Sequence, residues 1–157
     1  NCVFFRLLRP FIPLQTLFQP KNSYLCRPMA LRLHIFNPEH DIALAHGSPL
    51  FTSPRAGRQL RADLGFLPAL WAGEESVVWT DQPHEALENV RRLGLDVPPE
   101  LFVDTPTLRR LAHQVEAVDP WGWDAASCHQ LQRLGVNPRI LPTAEELEEV
   151  RAGQETA

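Results

Sequence analysis

Beyond its first 28 residues the chain contains no lysine, since Lys21 is the only one among its 157 residues. A Schiff base, a P-loop and a lysine that grips phosphate are thereby excluded from the body of the protein. Cysteine is scarce too: Cys2, Cys26 and Cys128 form neither a C-x-x-C pair nor a zinc-binding spacing. A lone mid-helix cysteine such as Cys128 reads as a small buried hydrophobe. A reducing, cytoplasmic setting fits this usage.

Positive charge is also sparse. From Met29 onward 11 arginines stand against 19 acids, a net charge of -8. Such a surface lacks the field that neutralises a phosphate backbone, which argues against DNA or RNA as a partner. Long apolar runs are missing as well. The apolar and basic residues 1 to 18 are broken by Pro10 and Pro13 and are too short to span a bilayer.

Residues 1 to 28 carry Arg6, Arg9, Lys21 and Arg27 and no acid. No small-residue cleavage site follows, so they make a poor signal peptide. The expectation is an extension outside the domain, either translated upstream sequence or a disordered lead. An organelle transit peptide is the competing reading, favoured by base without acid and opposed by the lack of an amphipathic pattern. The domain itself is expected over 29–150, with 151–157 as a polar tail or the start of a linker.

What remains is an alternation of strand and helix signals. Leu31 to Phe36 alternates as a strand and stops at Asn37-Pro38, because the residue before proline is pushed out of the helical region. A loop to about Thr52 follows. Ser53 is expected to cap a helix with Pro54 at its first position and an apolar stripe of Leu60, Leu64, Leu67 and Trp71, bent or split at Gly65 and Pro68. Ser76 to Trp79, Leu101 to Val103, Val115 to Val118 and Arg139 to Leu141 read as further strands. Between them lie a helix from about His84 to Leu93 stopped by Gly94, one capped at Asp104 or Thr105, and one after Trp121-Gly122-Trp123-Asp124 that buries Leu131 and Leu134 and is stopped by Gly135. Thr143 with Glu146 forms a capping box for a last helix. This order predicts a Rossmann-like three-layer α/β domain with a mostly parallel sheet of about five strands.

Ligands of such folds sit beyond the carboxyl ends of the strands. That rule selects Asn37 to Asp41, Thr80-Asp81, Asp104 and Asp119 to Asp124. Glu39, His40 and Asp41 place two carboxylates and an imidazole side by side, suited to holding a metal, a ribose or an amine, or to relaying protons. The same residues also read as a plain turn at Asn37-Pro38 with Asp41 capping the helical turn Ile42 to Ala45. Trp121 and Trp123 flank Gly122 beside a helix start, which suits stacking on a base or sugar, or merely plugging the sheet edge. Arg55, Arg58 and Arg61 put positive charge near a helix start, where backbone N–H groups favour an anion, although a solvated face is the ordinary explanation.

Four segments together resemble an uncharacterised bacterial family. They are Phe36-Asn37-Pro38-Glu39-His40-Asp41-Ile42-Ala43-Leu44-Ala45, Leu67-Pro68-Ala69-Leu70-Trp71-Ala72, Pro120-Trp121-Gly122-Trp123-Asp124 and Leu141-Pro142-Thr143. In that family this region is an amino-terminal pre-ATP-grasp-like domain placed before an ATP-grasp domain. The resemblance implies the substrate-side module of a carboxylate–amine or carboxylate–thiol ligase, silent by itself. ATP and magnesium would be held by the ATP-grasp domain, with a small molecule as substrate. From the residues alone, a stand-alone binding domain for a nucleotide or sugar phosphate stays open, as does a metal-dependent hydrolase using Glu39, His40 and Asp41.

Overall fold

A computed structural model describes residues 30–155. Residues 1 to 29, with every expectation placed on them, lie outside it. Four strands, β1 (Leu31–Ile35), β2 (Ser76–Trp79), β3 (Phe102–Val103) and β4 (Val115–Pro120), form one all-parallel sheet in the order β3-β2-β1-β4. Six α-helices accompany them: α1 (His40–His46), α2 (Arg55–Leu64), α3 (Pro83–Arg92), α4 (Thr105–Leu111), α5 (Ala125–Leu134) and α6 (Ala144–Glu155).

The two-residue side-chain period of a strand sorts the core into two layers. Leu31, Leu33, Ile35, Val77, Val103 and Val118 face one side, where Leu108 of α4 and Leu131 and Leu134 of α5 cover them. Val78 and Phe102 face the other and pack with Ala86 and Val90 of α3 and Ala69 of the short 3-10 helix Leu67–Leu70. The result is the expected Rossmann-like three-layer α/β arrangement.

The fifth strand does not form. Pro138–Ile140 is instead a 3-10 turn whose cap, Asn137, accepts the Arg139 N–H at 3.1 Å. Pro138 has no N–H for a ladder and a fixed φ that suits the first position of a helical turn. Leu141 still enters the core beside β4, so its burial is met without strand pairing. Strand β3 is likewise shorter than expected, because Leu101 belongs to the 3-10 turn Pro99–Leu101.

Helix α2 also departs from expectation. Ser53 does not cap it, Pro54 occupies the cap position, and no α2 residue is buried. It lies across the carboxyl edge of the sheet: a Cβ on Gly57 would stand 3.1 Å from the Glu39 side chain after β1, and one on Gly65 would stand 3.1 Å from Thr80 Oγ1 after β2. Asp104 and Asp124 do cap α4 and α5, each accepting an N–H at 2.8 Å. The Thr143–Glu146 box closes α6 in both directions, and that helix continues through the polar residues up to Glu155.

β1 is followed by a crossover to β2 on one side, while its other neighbour is β4. The strand order therefore reverses between β1 and β4, because the crossover from β3 carries the chain back past β2 and β1, and the carboxyl ends of these two strands mark the switch point where such sheets place ligands.

Candidate ligand site at the carboxyl rim

Asn37, the second residue beyond β1, is 1% exposed. Its amide nitrogen donates to the Gly122 carbonyl at 2.7 Å and to Asp124 Oδ2 at 3.2 Å, and its oxygen accepts the Gly122 N–H at 3.3 Å. Asp124 in turn accepts the Ser127 hydroxyl at 2.6 Å. Asn37 and Asp124 thus latch the loops after β1 and β4 together, and their polar atoms are spent on that task. Gly122 is required for close approach, since a Cβ there would fall 1.9 Å from His40 Cδ2.

Glu39, His40 and Asp41 do not converge. His40 Nε2 meets Asp41 Oδ1 at 2.9 Å, and Asp41 is exposed. Asp41 sits inside the first turn of α1 and makes no cap hydrogen bond. Glu39 points elsewhere. Its side chain is 3% exposed, and its carboxylate pairs with Arg61 of α2. The Ser53 hydroxyl donates to the same Oε1 at 2.5 Å, which explains why Ser53 is not a cap. Among the described residues no group of three or more His, Cys, Asp or Glu is arranged to hold a metal ion.

Three cavities meet at this rim, of about 530, 50 and 70 Å³, and Arg61 and Gln130 line all of them. The largest runs down the seam between α4 and α5 and carries Arg58, Arg61, Arg109 and Arg133 against the one acid Asp81. Arg61 is committed to Glu39, and Arg58 donates to the Ser53 carbonyl. Among the described residues Arg109 and Arg133 pair with no carboxylate. A concave surface with uncompensated guanidinium groups attracts anions and offers planar forks that fit phosphate or carboxylate oxygens.

The other expected residues fall outside these cavities. Arg55 is exposed and lines none of them. Trp123 packs against the cores below both loops as a plug. Trp121 is 54% exposed, sits edge-on to Phe36 with centroids 5.3 Å apart, and neighbours Trp71 at 6.4 Å. Arg109, Arg133, Gln130 and Ser53 also line these cavities, and no local motif in the sequence marks them as ligand residues.

A separate, mostly apolar cavity of about 290 Å³ lies between α1, α5 and α6 and reaches Cys128. Burial, helped by Asp124, pushes the Cys128 thiol up to about 11, so it stays protonated and unreactive at neutral pH. No described helix is long and apolar enough to cross a membrane. No family model, curated protein or solved structure matches this chain.

Proposed function

We propose that this domain is a small-molecule binding module whose ligand carries an anionic group, held at the carboxyl rim between α2, α4 and α5. The observation that carries this reading is the cavity of about 530 Å³ in which Arg109 and Arg133 have no acidic partner among the described residues, at the carboxyl rim where open parallel sheets place their ligands. In the setting that the sequence resemblance implies, the module is the substrate side of an ATP-grasp-type ligase. Its ligand is then the carboxylate or phosphate substrate, and ATP and magnesium are bound by the ATP-grasp domain. A reading frame that continues past codon 157 into lysines and acidic metal ligands supports that setting, and a stop with no such frame nearby argues for a stand-alone binder.

The binding claim is tested by thermal unfolding with inorganic phosphate at constant ionic strength. A ligand at a hundred times its Kd adds about 2.7 kcal/mol of stability, a readily measured rise in Tm. Arg109→Ala combined with Arg133→Ala weakens the effect at least tenfold. Absence of stabilisation by phosphate, sugar phosphates and di- or tricarboxylates alike rejects the reading.

A further inference from the structure

Helix α5 walls two cavities at once. Ala125, Cys128 and Gln132 line the mostly apolar space of about 290 Å³, and Ala126, Gln130 and Arg133 line the arginine-bearing space of about 530 Å³. Their spacings of three and four residues make two neighbouring stripes on one helix surface, and at about 100° per residue His129 falls midway between them. His129 accordingly belongs to both walls, and so does Pro49 from the segment after α1. Neither is buried, so a ligand can pass from one space to the other over their exposed faces. Arg133 stands one turn beyond His129 on the same face and pairs with no carboxylate among the described residues. The unspent guanidinium is therefore next to the crossing point.

The smaller space brings no free charge of its own. Leu44, Cys128 and Leu147 form a buried cluster beneath it, and Ala125, Pro142 and Ala144 surround them. The charged groups at its edge, Glu148 and Arg151, pair with each other at 2.5 Å. The Cys128 thiol, pushed up by burial, stays neutral. An open apolar surface beside an uncompensated cation complements a molecule that is anionic at one end and hydrocarbon at the other. A methylene group takes about the volume of a water molecule, roughly 30 Å³ in the liquid, so a chain of about six carbons fits.

Resting on the anion reading above, we infer that the ligand is an amphipathic anion, its charged head held by Arg109 and Arg133 and its unbranched aliphatic tail lying over His129 and Pro49 into the space between α1, α5 and α6.

Isothermal titration of the whole chain with inorganic phosphate, ethyl, butyl and hexyl phosphate, 1-hexanol and adenosine 5′-phosphate tests this at constant ionic strength. Burying one methylene is worth about fourfold in affinity, so hexyl phosphate should bind at least roughly twentyfold more tightly than ethyl phosphate, with butyl phosphate between them. Hexanol has the tail without the charge and should bind at least about tenfold more weakly than hexyl phosphate. Ala125→Leu takes up part of the tail space and should cut the ethyl-to-hexyl ratio at least about fivefold, with the fold checked by circular dichroism. Ala144→Leu, on the exposed first turn of α6, serves the same purpose if the first variant does not fold. Equal affinity for phosphate and all three esters overturns the tail assignment while leaving the anion reading intact. A chain-length dependence untouched in both variants places the tail elsewhere and overturns it too. Hexanol binding as tightly as hexyl phosphate removes the arginines from the account. Tighter binding of adenosine 5′-phosphate than of hexyl phosphate overturns the inference in favour of a nucleotide. Binding of neither phosphate nor any ester removes the anion reading and this inference with it.

Discussion

The two ends of the sheet hold clefts of similar size and opposite chemistry. At the carboxyl end, about 530 Å³ is lined by four arginines. At the other end, about 580 Å³ is lined by Glu74, Glu75, Asp96 and Glu100 over Leu31, Ala69, Val77 and Leu101. Volume alone does not distinguish them. All four acids of the second cleft are exposed, as are Arg58, Arg109 and Arg133 of the first, and the floor of the second is the edge of the two cores. The carboxyl end has a different construction. Asn37, Glu39 and Asp124 are buried polar groups, and each is fixed by a partner from another segment. Burying such groups is unfavourable unless the geometry repays it, so the comparison points to the end where that cost has been met.

The largest expected effect that would test this contrast is Asn37→Ala. It strands the Gly122 amide and carbonyl and part of Asp124, and should lower stability by about 3 kcal/mol, read from the urea midpoint at unchanged slope. Phosphate stabilisation should fall with it. An unchanged midpoint would mean that the two rim loops are independent. Glu39→Ala comes next, at about 2 kcal/mol. It removes a buried charge from Arg61, but Arg61 remains 32% exposed and recovers water.

A smaller effect separates the fold from either end. His34 of β1 is buried, with Nε2 at 3.3 Å from Ser76 Oγ and Nδ1 at 3.7 Å from Asp119. Burial lowers its pKa from 6.5, with Asp119 opposing and Arg32 assisting. The unfolded chain then binds this proton at a higher pH than the native one. Its contribution is complete above 6.5 and is lost as the pH falls from there through the lowered native value. His34→Gln should flatten that acid-side slope in urea titrations taken at successive pH values. A slope unchanged by the substitution would assign it to other groups. The smallest effect belongs to the far cleft, where Glu74→Gln with Glu100→Gln should move stability by no more than about 0.5 kcal/mol and phosphate affinity by less than twofold. A larger change in phosphate affinity would erase the distinction between the ends.

Much of the frame was readable from the chain, because it rests on local signals. The strand from Leu31, the cap at Asp104, one of the two residues the sequence offers for it, and the Gly94 and Gly135 exits all appear where expected, with φ of 79° and 96° at the two glycines. The failed strand at Arg139 to Leu141 shows the limit of an apolar triplet: Pro138 decided the backbone, and burial was met by packing. The site was legible only in outline. The loops that hold Asn37 and Asp124 are marked by the strand ends, but that these two residues bond each other across 87 positions follows from the sheet order. Glu39 looked like a partner of His40 because the two are adjacent, whereas its environment depends on α2 lying over the rim. Arg109 and Arg133 belong to two different helices, and only the packing of α4 beside α5 brings them to one cavity.

The seating of the His40 ring over Gly122 has a practical consequence for redesign. A graft of the segment after β4 that carries any side chain at position 122 evicts His40, and a graft of the segment after β1 without Asn37 leaves the 122 peptide unmatched. Recombined or engineered versions of this scaffold therefore have to exchange residues 36–41 and 120–124 as one cassette, with the two pieces inherited from the same parent.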